Sequence, residues 1–152
     1  DFDTRKNALD GHEDMESHMI GPAPEQTVKN LHDRLYFDGT IEHDKLYEHI
    51  SDYDCLIMPF VVNDLIEAVD PVKLYEYISY GKCILSVYYK EIERFENFVY
   101  FYRDSTDFID RIGELKTDAF PVKYTENQQK IFLADSSWEI RGKQVKEIIC
   151  RL

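Results

Sequence analysis

Two short runs of apolar residues, at positions 55–60 and 83–87, constrain the fold of this chain more than any other feature. They read CLIMPF and CILSV, and near-continuous apolar runs of this length are typical of strands buried on both faces of a parallel sheet. Parallel strands need a crossover connection, which is usually a helix. The segment between the runs contains a proline at 71 and a glycine at 81, which favour a helix over 71–80.

The same alternation of short apolar runs and helical periods continues on both sides. Further strands are predicted within 16–22, 34–41 and 98–102, and further helices within 24–33, 43–53, 91–97 and 105–115. This alternation predicts an α/β fold, a Rossmann-like doubly wound parallel sheet with right-handed crossovers. The end of the chain is mainly helical, with Ser136 or Ser137 as the N-cap of the last helix. We therefore expect an α/β domain over 1–135 and a C-terminal helix over 136–152, anchored by Trp138.

Charge and cysteine content exclude several classes of protein. The chain has 152 residues and a net charge of -12, which argues against a nucleic-acid partner because such sites need clustered Lys and Arg. The three cysteines are widely spaced and show no zinc pattern, so we expect free thiols in a reducing cytosol. No apolar run approaches the ~18 residues of a membrane span. A cytoplasmic protein without a metal cofactor is expected.

The loop and helix that follow the first apolar run form the candidate site. Ligands of open α/β sheets bind beyond the carboxyl ends of the strands, at helix N-termini. With Pro71 as the first helical residue, the N–H groups of Val72, Lys73 and Leu74 would face an anion, and Lys73 would add a positive charge. Glu76, one turn further, could accept hydrogen bonds from ribose hydroxyls. The alternative is that Lys73 and Glu76 form a surface i,i+3 pair worth a few tenths of a kcal/mol.

The stretch 52–87 resembles the C-terminal, nucleotide-sugar-binding domain of bacterial GT-B glycosyltransferases (glycosyl transferases group 1, or family 4-like). The matching positions are Asp54, Pro59, Phe60, Asn63, Leu65, Glu67, Val69, Pro71, Lys73, Leu74, Tyr75, Glu76, Tyr77, Gly81 and Lys82. The segments MIGPAP, LYFDGTIEHDKLYEHISDYD and SSWEIRGKQV are similar to a second strand and its loop, a strand-turn-helix unit and a closing helix of that family. The resemblance covers nearly the whole chain.

This resemblance implies a role for several residues. Glu76 would bind the ribose of the donor, and the segment 69–72, from Val69 through Asp70 and Pro71 to Val72, would face its phosphates beside Lys73. The remaining positions implied near the donor are Gly21, Gly39, Thr40, Asn63 and Glu67. Gly39 and Thr40 would meet the nucleobase. The chain departs from the family at Ala68, where many relatives carry a second Glu, and at Cys83, where proline is usual.

The resemblance also implies a function. The chain would be the donor-binding half of a glycosyltransferase that uses a UDP-, GDP- or TDP-sugar and a glycan or lipid-linked acceptor in polysaccharide biosynthesis. Its partner would be an N-terminal GT-B domain, and we expect that domain, the family's first strand and its glycine-rich turn to lie outside this sequence. The resemblance assigns no catalytic residue. It is compatible with a cytoplasmic protein that is bound peripherally at the inner face of the membrane. The alternative is a non-catalytic flavodoxin-like or receiver-like interaction domain, although Pro59 and Phe60 stand where a receiver needs an Asp.

Overall fold

The computed structural model describes residues 1–22 and 32–151, which form parallel strands and helices. The strands are β1 (Ser17–Ile20), β2 (Leu35–Gly39), β3 (Cys55–Met58), β4 (Cys83–Val87) and β5 (Tyr100–Tyr102). The helices are α1 (Phe2–Gly11), α2 (His43–His49), α3 (Asp64–Glu67), α4 (Val72–Ser79), a 3-10 helix (Lys90–Phe95), α5 (Ser105–Thr117), α6 (Glu126–Asp135) and α7 (Trp138–Ile149). The helix expected over 24–33 falls almost wholly outside the described residues.

The described strands form two parallel sheets. One contains β1 and β2, and the other has the order β3-β4-β5. Cys55 pairs with Cys83 at the start of the β3–β4 ladder, and Leu85 pairs with Tyr100. The predicted α/β class with parallel strand pairing is confirmed, as two short parallel sheets. The central position of β4 in its sheet agrees with its burial. All five residues of β4 are buried, whereas β3 alternates between half-buried and buried residues.

Helix α1, which the sequence did not predict, sets the relative direction of the two sheets. The amino group of Asp1 donates a hydrogen bond to the Pro59 carbonyl, just beyond the carboxyl end of β3, at 2.9 Å. At the other end of α1, the guanidinium of Arg34, next to the amino end of β2, donates to the carbonyls of Leu9 and His12. The helix therefore runs antiparallel to strands of both sheets, so the strands of the two sheets point the same way.

Two helix pairs cover the sheets. Helix α1 packs on α5 so closely that a Cβ added at Gly11 would lie 3.3 Å from Ile109 Cγ2. Helix α2 lies beside α4, where the Tyr47 and Tyr80 rings are 6.0 Å apart. The fully buried core surrounds β4 and is formed by α4, the 3-10 helix and α5. Its largest members are Tyr102, Phe95, Phe108, Met58, Leu74, Ile78, Ile84 and Leu85.

The two C-terminal helices differ in how they pack. Helix α6 begins with a capping box between Thr125 and Gln128, and its Phe132 ring stacks on Tyr75 of α4 at 5.6 Å. Helix α7 begins after Ser137, which accepts a hydrogen bond from the Ile140 N–H as an N-cap. The expectation that Trp138 anchors this helix is wrong, because the side chain is 84% exposed. The first residue of α7 faces away from the core.

Candidate functional site

A cavity of about 870 Å³ lies between the two sheets. Every residue of β1 and β3 lines it, together with side chains of α1, α2, α4 and α5. At the carboxyl ends of the strands its wall is formed by Ile20, Pro59, Phe60, Lys73 and Glu76. This is the edge at which α/β proteins bind ligands. The structure therefore brings the two residues singled out by the sequence, Lys73 and Glu76, into one cavity wall.

The start of α4 differs by one residue from the sequence prediction. Pro71 is the N-cap, with extended backbone angles (φ -81°, ψ 101°), and Val72 is the first helical residue. The Leu74 N–H donates to the Pro71 carbonyl at 3.0 Å. The prediction that three N–H groups face an anion was therefore wrong for Leu74, whose N–H is already bonded within the chain. The N–H groups of Val72 and Lys73 remain without an intrahelical acceptor, as helix geometry requires of the first turn.

The Glu76 side chain is about one-third exposed, and it faces α2. Its Oε1 atom lies 3.7 Å from His43 Nε2, on a histidine side chain that is 82% exposed. Burial first, and the nearby Glu76 carboxylate second, raise the pKa of Tyr80 above its ordinary value and that of Tyr77 to about 12. Both phenols also line the cavity. A cavity wall that holds a carboxylate and two neutral phenols is suited to bind a polyhydroxylated ligand.

Lys73 and Glu76 do not pair with each other. Within residues 1–22 and 32–151, no ion pair of 4.0 Å or less joins them, although both line the same wall. The surface-pair alternative is therefore wrong for this structure. Among the described residues the Lys73 ammonium forms no ion pair of 4.0 Å or less, and Lys73 lines the cavity.

Other residues implied by the resemblance lie outside the cavity lining. Asn63 caps α3, accepting from the Ile66 N–H at 2.9 Å, and Asp70 forms an ion pair with Arg94. The Val69 carbonyl accepts a hydrogen bond from the Tyr89 hydroxyl at 3.2 Å. Glu67 is exposed on α3, and Val72 is 59% exposed. The loop 61–71 thus uses its polar groups to bind itself and the segment around the 3-10 helix, and none of its residues lines the cavity.

Gly21 and Gly39 close the carboxyl ends of β1 and β2. The Gly21 N–H donates to the Gly39 carbonyl at 2.8 Å. Both glycines have positive φ angles, +136° and +74°, and a Cβ at either would meet nothing within 4 Å. They and the exposed Thr40 lie outside the cavity lining. Among residues 1–22 and 32–151, no atom therefore blocks the approach of a flat ring to these two backbones.

A second cluster of polar side chains was not predicted. The Asp38 carboxylate accepts a hydrogen bond of 2.8 Å from the Tyr53 hydroxyl and lies 3.1 Å from both His18 Nδ1 and His49 Nε2. The His18 ring stacks on Tyr53, with centroids 5.0 Å apart. These four residues come from β1, β2, α2 and the loop before β3, so no sequence spacing joins them. Only the folded chain brings them together.

Hydrogen bonding sets the ionisation of this cluster. Burial opposes the charge of Asp38, but the hydrogen bonds from Tyr53, His49 and His18 together outweigh it and lower the pKa of the carboxyl group. Burial, followed by the hydrogen bond to Asp38 and then by the Asp38 charge, raises the pKa of Tyr53 to about 12. The carboxylate therefore stays charged and the phenol neutral through the neutral range.

The fold and the cavity define a mixed α/β protein with short parallel sheets and a cleft at the carboxyl ends of its strands. Comparison with protein-family models and with curated proteins found no match. In the part of the chain that the structure describes, no three or more His, Cys, Asp or Glu side chains are grouped to hold a metal ion. No helix among those residues has the length and apolarity needed to cross a bilayer.

Proposed function

We propose that the chain is the donor-binding half of a GT-B-type glycosyltransferase with a Rossmann-like, doubly wound sheet. The observation that carries this proposal is the position of Lys73 and Glu76 in the first turns of α4, where both line the cavity beyond the carboxyl end of β3. The same residues belong to the stretch that resembles the donor-binding motif of that family. The proposal is supported by the coincidence of these two observations.

The proposed role of the site is to hold the donor in a fixed orientation. The N–H and the ammonium of Lys73, which lines the cavity, would bind the diphosphate, where the helix dipole and a cation both favour negative charge. The Val72 N–H would lie beside them, just outside the cavity lining. Glu76 would accept hydrogen bonds from the ribose hydroxyls. The same groups would stabilise the charge that develops on the departing diphosphate. A second, N-terminal domain would bind the acceptor and supply any catalytic base. The whole enzyme would act in the cytoplasm or at the membrane surface.

Calorimetric titration with UDP, GDP and TDP tests this proposal. One of the three nucleotides should bind, and Glu76→Gln should weaken that binding about tenfold, because a neutral amide accepts the ribose bonds less strongly. Lys73→Ala should weaken binding by a similar factor and reduce its dependence on salt. Matched controls are Glu48→Gln and Lys6→Ala, both exposed positions on other helices. Unchanged affinity in Glu76→Gln would remove this residue from its assigned role.

The nucleotide titration also separates the two functions weighed from the sequence. A folded chain that binds none of the three nucleotides would favour the non-catalytic, flavodoxin-like interaction domain. Binding that is lost equally in the Glu48 and Glu76 variants would point to a general loss of structure. Circular dichroism shows whether each variant is folded, and so it distinguishes a folded chain without affinity from a chain that has lost its structure.

A further inference from the structure

Two of the three cysteines face each other across neighbouring strands. Cys55 is the first residue of β3, Cys83 is the first residue of β4, and the two are paired in the parallel ladder. Paired residues of parallel strands project their side chains from the same face of the sheet. Neighbouring strands lie about 4.8 Å apart, and the Cα atoms of a disulfide are usually about 4.4–6.8 Å apart. The backbone therefore holds these two cysteines at a spacing that a disulfide can bridge.

The two thiols are close enough to interact, although both are free. Interaction with Cys83, ahead of burial, raises the pKa of the Cys55 thiol well above its ordinary value. Interaction with Cys55 lowers the pKa of the Cys83 thiol, and this effect outweighs the opposing effect of burial. The pair therefore releases one proton more readily than an isolated buried thiol and holds the other between the two sulfur atoms. The thiolate that results is the reactive form of cysteine.

A second contact holds the amino ends of β3 and β4 in register. The ammonium of Lys82, the residue before Cys83, donates hydrogen bonds to the Ser51 and Tyr53 carbonyls in the turn before β3, the latter at 3.0 Å. This side chain joins the start of one strand to the start of the other. Groups that are held in place react much faster than the same groups at ordinary concentration. The fold thus prepares Cys55 and Cys83 to react with each other.

One residue of the pair is accessible to a small oxidant. Cys55 is half-buried and lines the cavity between the sheets, whereas Cys83 is only 1% exposed. An oxidant that enters the cavity therefore meets Cys55 first, and Cys83 is placed to attack the oxidised sulfur. The third cysteine, Cys150, is an exposed free thiol that follows α7. It provides a reference thiol without such a neighbour in its own strand or helix.

We propose that Cys55 and Cys83 form a reversible redox site, at which a hydroperoxide converts the two thiols into a disulfide between β3 and β4. The site lies at the amino ends of these strands, and the wall formed by Lys73 and Glu76 lies at their carboxyl ends. The inference therefore goes beyond nucleotide binding and does not depend on it. Cys83 is also a position at which the chain departs from the family that it resembles, so the pair is a feature of this chain.

The reaction with hydrogen peroxide has two steps. The Cys55 thiolate, after its proton has passed to the Cys83 sulfur, attacks a peroxide oxygen, and an S–O bond forms as the O–O bond breaks. The released hydroxide takes the proton of the Cys83 thiol and becomes water. The Cys83 thiolate then attacks the Cys55 sulfur, and an S–S bond forms as the S–O bond breaks. The second hydroxide takes from solvent the proton that the pair had released.

Two electrons pass in this reaction from the two sulfur atoms to the peroxide, which is reduced to two molecules of water. A dithiol reverses it by thiol–disulfide exchange, since its thiolate attacks the disulfide and the dithiol itself becomes oxidised. Both thiols of the pair are then restored. The chain would thus exist in a dithiol and a disulfide state, and the structure describes the first of these.

The test treats the full chain with hydrogen peroxide at neutral pH, then denatures and alkylates it. Mass spectrometry measures the number of alkylated thiols and identifies disulfide-linked peptides. Wild type reports the rate at Cys150, and Cys150→Ser isolates the pair. Cys55→Ser and Cys83→Ser, each combined with Cys150→Ser, are the matched variants. The same reaction in urea measures the thiols without the fold, and the peptide map of wild type answers the question without any substitution.

In the folded chain Cys55 should become joined to Cys83, and dithiothreitol should restore both thiols. The pair should react at least about tenfold faster than Cys150, because its thiolate is stabilised and its partner is held in place. This advantage should disappear in urea, and neither single variant should form a disulfide within the chain. Oxidation of Cys55 without a bond to Cys83 overturns the proposal, as does a rate no faster than that of Cys150. A disulfide that forms equally fast in urea also overturns it.

Discussion

Asp38 links parts of the chain that the backbone hydrogen bonds leave separate. It lies on β2, yet it accepts a hydrogen bond from Tyr53, which precedes β3 in the other sheet. His18 of β1 and His49 of α2 complete the contacts of its carboxylate. The Asp38 side chain is only 17% exposed, so these bonds are poorly screened by water. A single carboxylate thus connects the two sheets through side chains.

Asp38→Asn should lower the free energy of unfolding by about 1–2 kcal/mol at neutral pH, because hydrogen bonds to a charged acceptor are stronger than those to an amide. The pKa of Asp38 is lower in the folded state, so its stabilisation is present above the ordinary pKa of the group. It is lost as pH falls through the folded pKa. Urea titrations at pH 7 and near pH 3 should therefore show a difference between wild type and variant that shrinks in acid.

Asp33→Asn is the matched control for this measurement, since Asp33 is exposed just before β2. It should change the free energy of unfolding by less than about 0.5 kcal/mol at pH 7. A difference between wild type and Asp38→Asn that stays constant across this pH range would show that the carboxylate charge does not contribute. The cost of the substitution would then be one of packing.

Helix α6 holds α4, and thereby Lys73 and Glu76, in place. Phe132 lies against three rings, with centroid distances of 4.5 Å to Phe98, 5.6 Å to Tyr75 and 5.8 Å to Phe95. The Gln129 side-chain amide donates to the Ile78 carbonyl at the end of α4, at 2.6 Å. The docking of α6 therefore uses both an aromatic cluster and a hydrogen bond to the last turn of α4.

Phe132→Ala should cost about 2 kcal/mol in the free energy of unfolding, below the 3–5 kcal/mol typical of a fully buried Phe, because this side chain is half-buried. The neighbouring Ile131 is 55% exposed, and Ile131→Ala should cost less than about 0.5 kcal/mol. Thermal or urea unfolding of the two variants gives the comparison. Equal losses would indicate that α6 does not dock through its aromatic face.

The sequence predicted the elements whose signals are local. The β3–α4–β4 unit was found from its apolar runs and from Pro71 and Gly81, and Ser137 was among the expected N-caps. Helix α1 was missed because only Thr4, Ala8 and Leu9 of its side chains are buried, and its place depends on contacts with α5. The separation of the sheets was missed because strand periodicity predicts a strand and says nothing about which strands become neighbours.

The candidate site, like the fold, was predictable from the sequence only where its residues are neighbours along the chain. Lys73 and Glu76 share a cavity wall because one helix carries both, one turn apart. The contributions expected from Asn63 and Asp70 depend on a loop whose polar groups bind each other and neighbouring elements instead. The Asp38 cluster combines residues of four elements, so only tertiary structure reveals it. Local spacing therefore gives the part of the site within α4 and little beyond it.

The whole molecule combines a well-buried sheet with a less buried one. All residues of β4 are buried, whereas β1 has one buried residue at Ser17 and β2 has one at Leu35. In the described residues the sheets meet through α1 and through the Asp38 cluster, in which the Tyr53 hydroxyl donates to Asp38 at 2.8 Å. A large cavity separates their facing edges. Regions with few buried apolar contacts open at lower free energy than the core.

We therefore expect the β1–β2 sheet to open separately from the β3–β5 sheet. Native-state hydrogen exchange in low concentrations of urea should give opening free energies for amides in 35–39 that lie at least about 1 kcal/mol below those in 83–87. Asp38→Asn should widen this difference, because it removes a link between the sheets without touching the core around β4. Identical opening free energies in the two sheets would show one cooperative unit. The side-chain links would then be strong enough to compensate for the missing backbone pairing between β1 and β3.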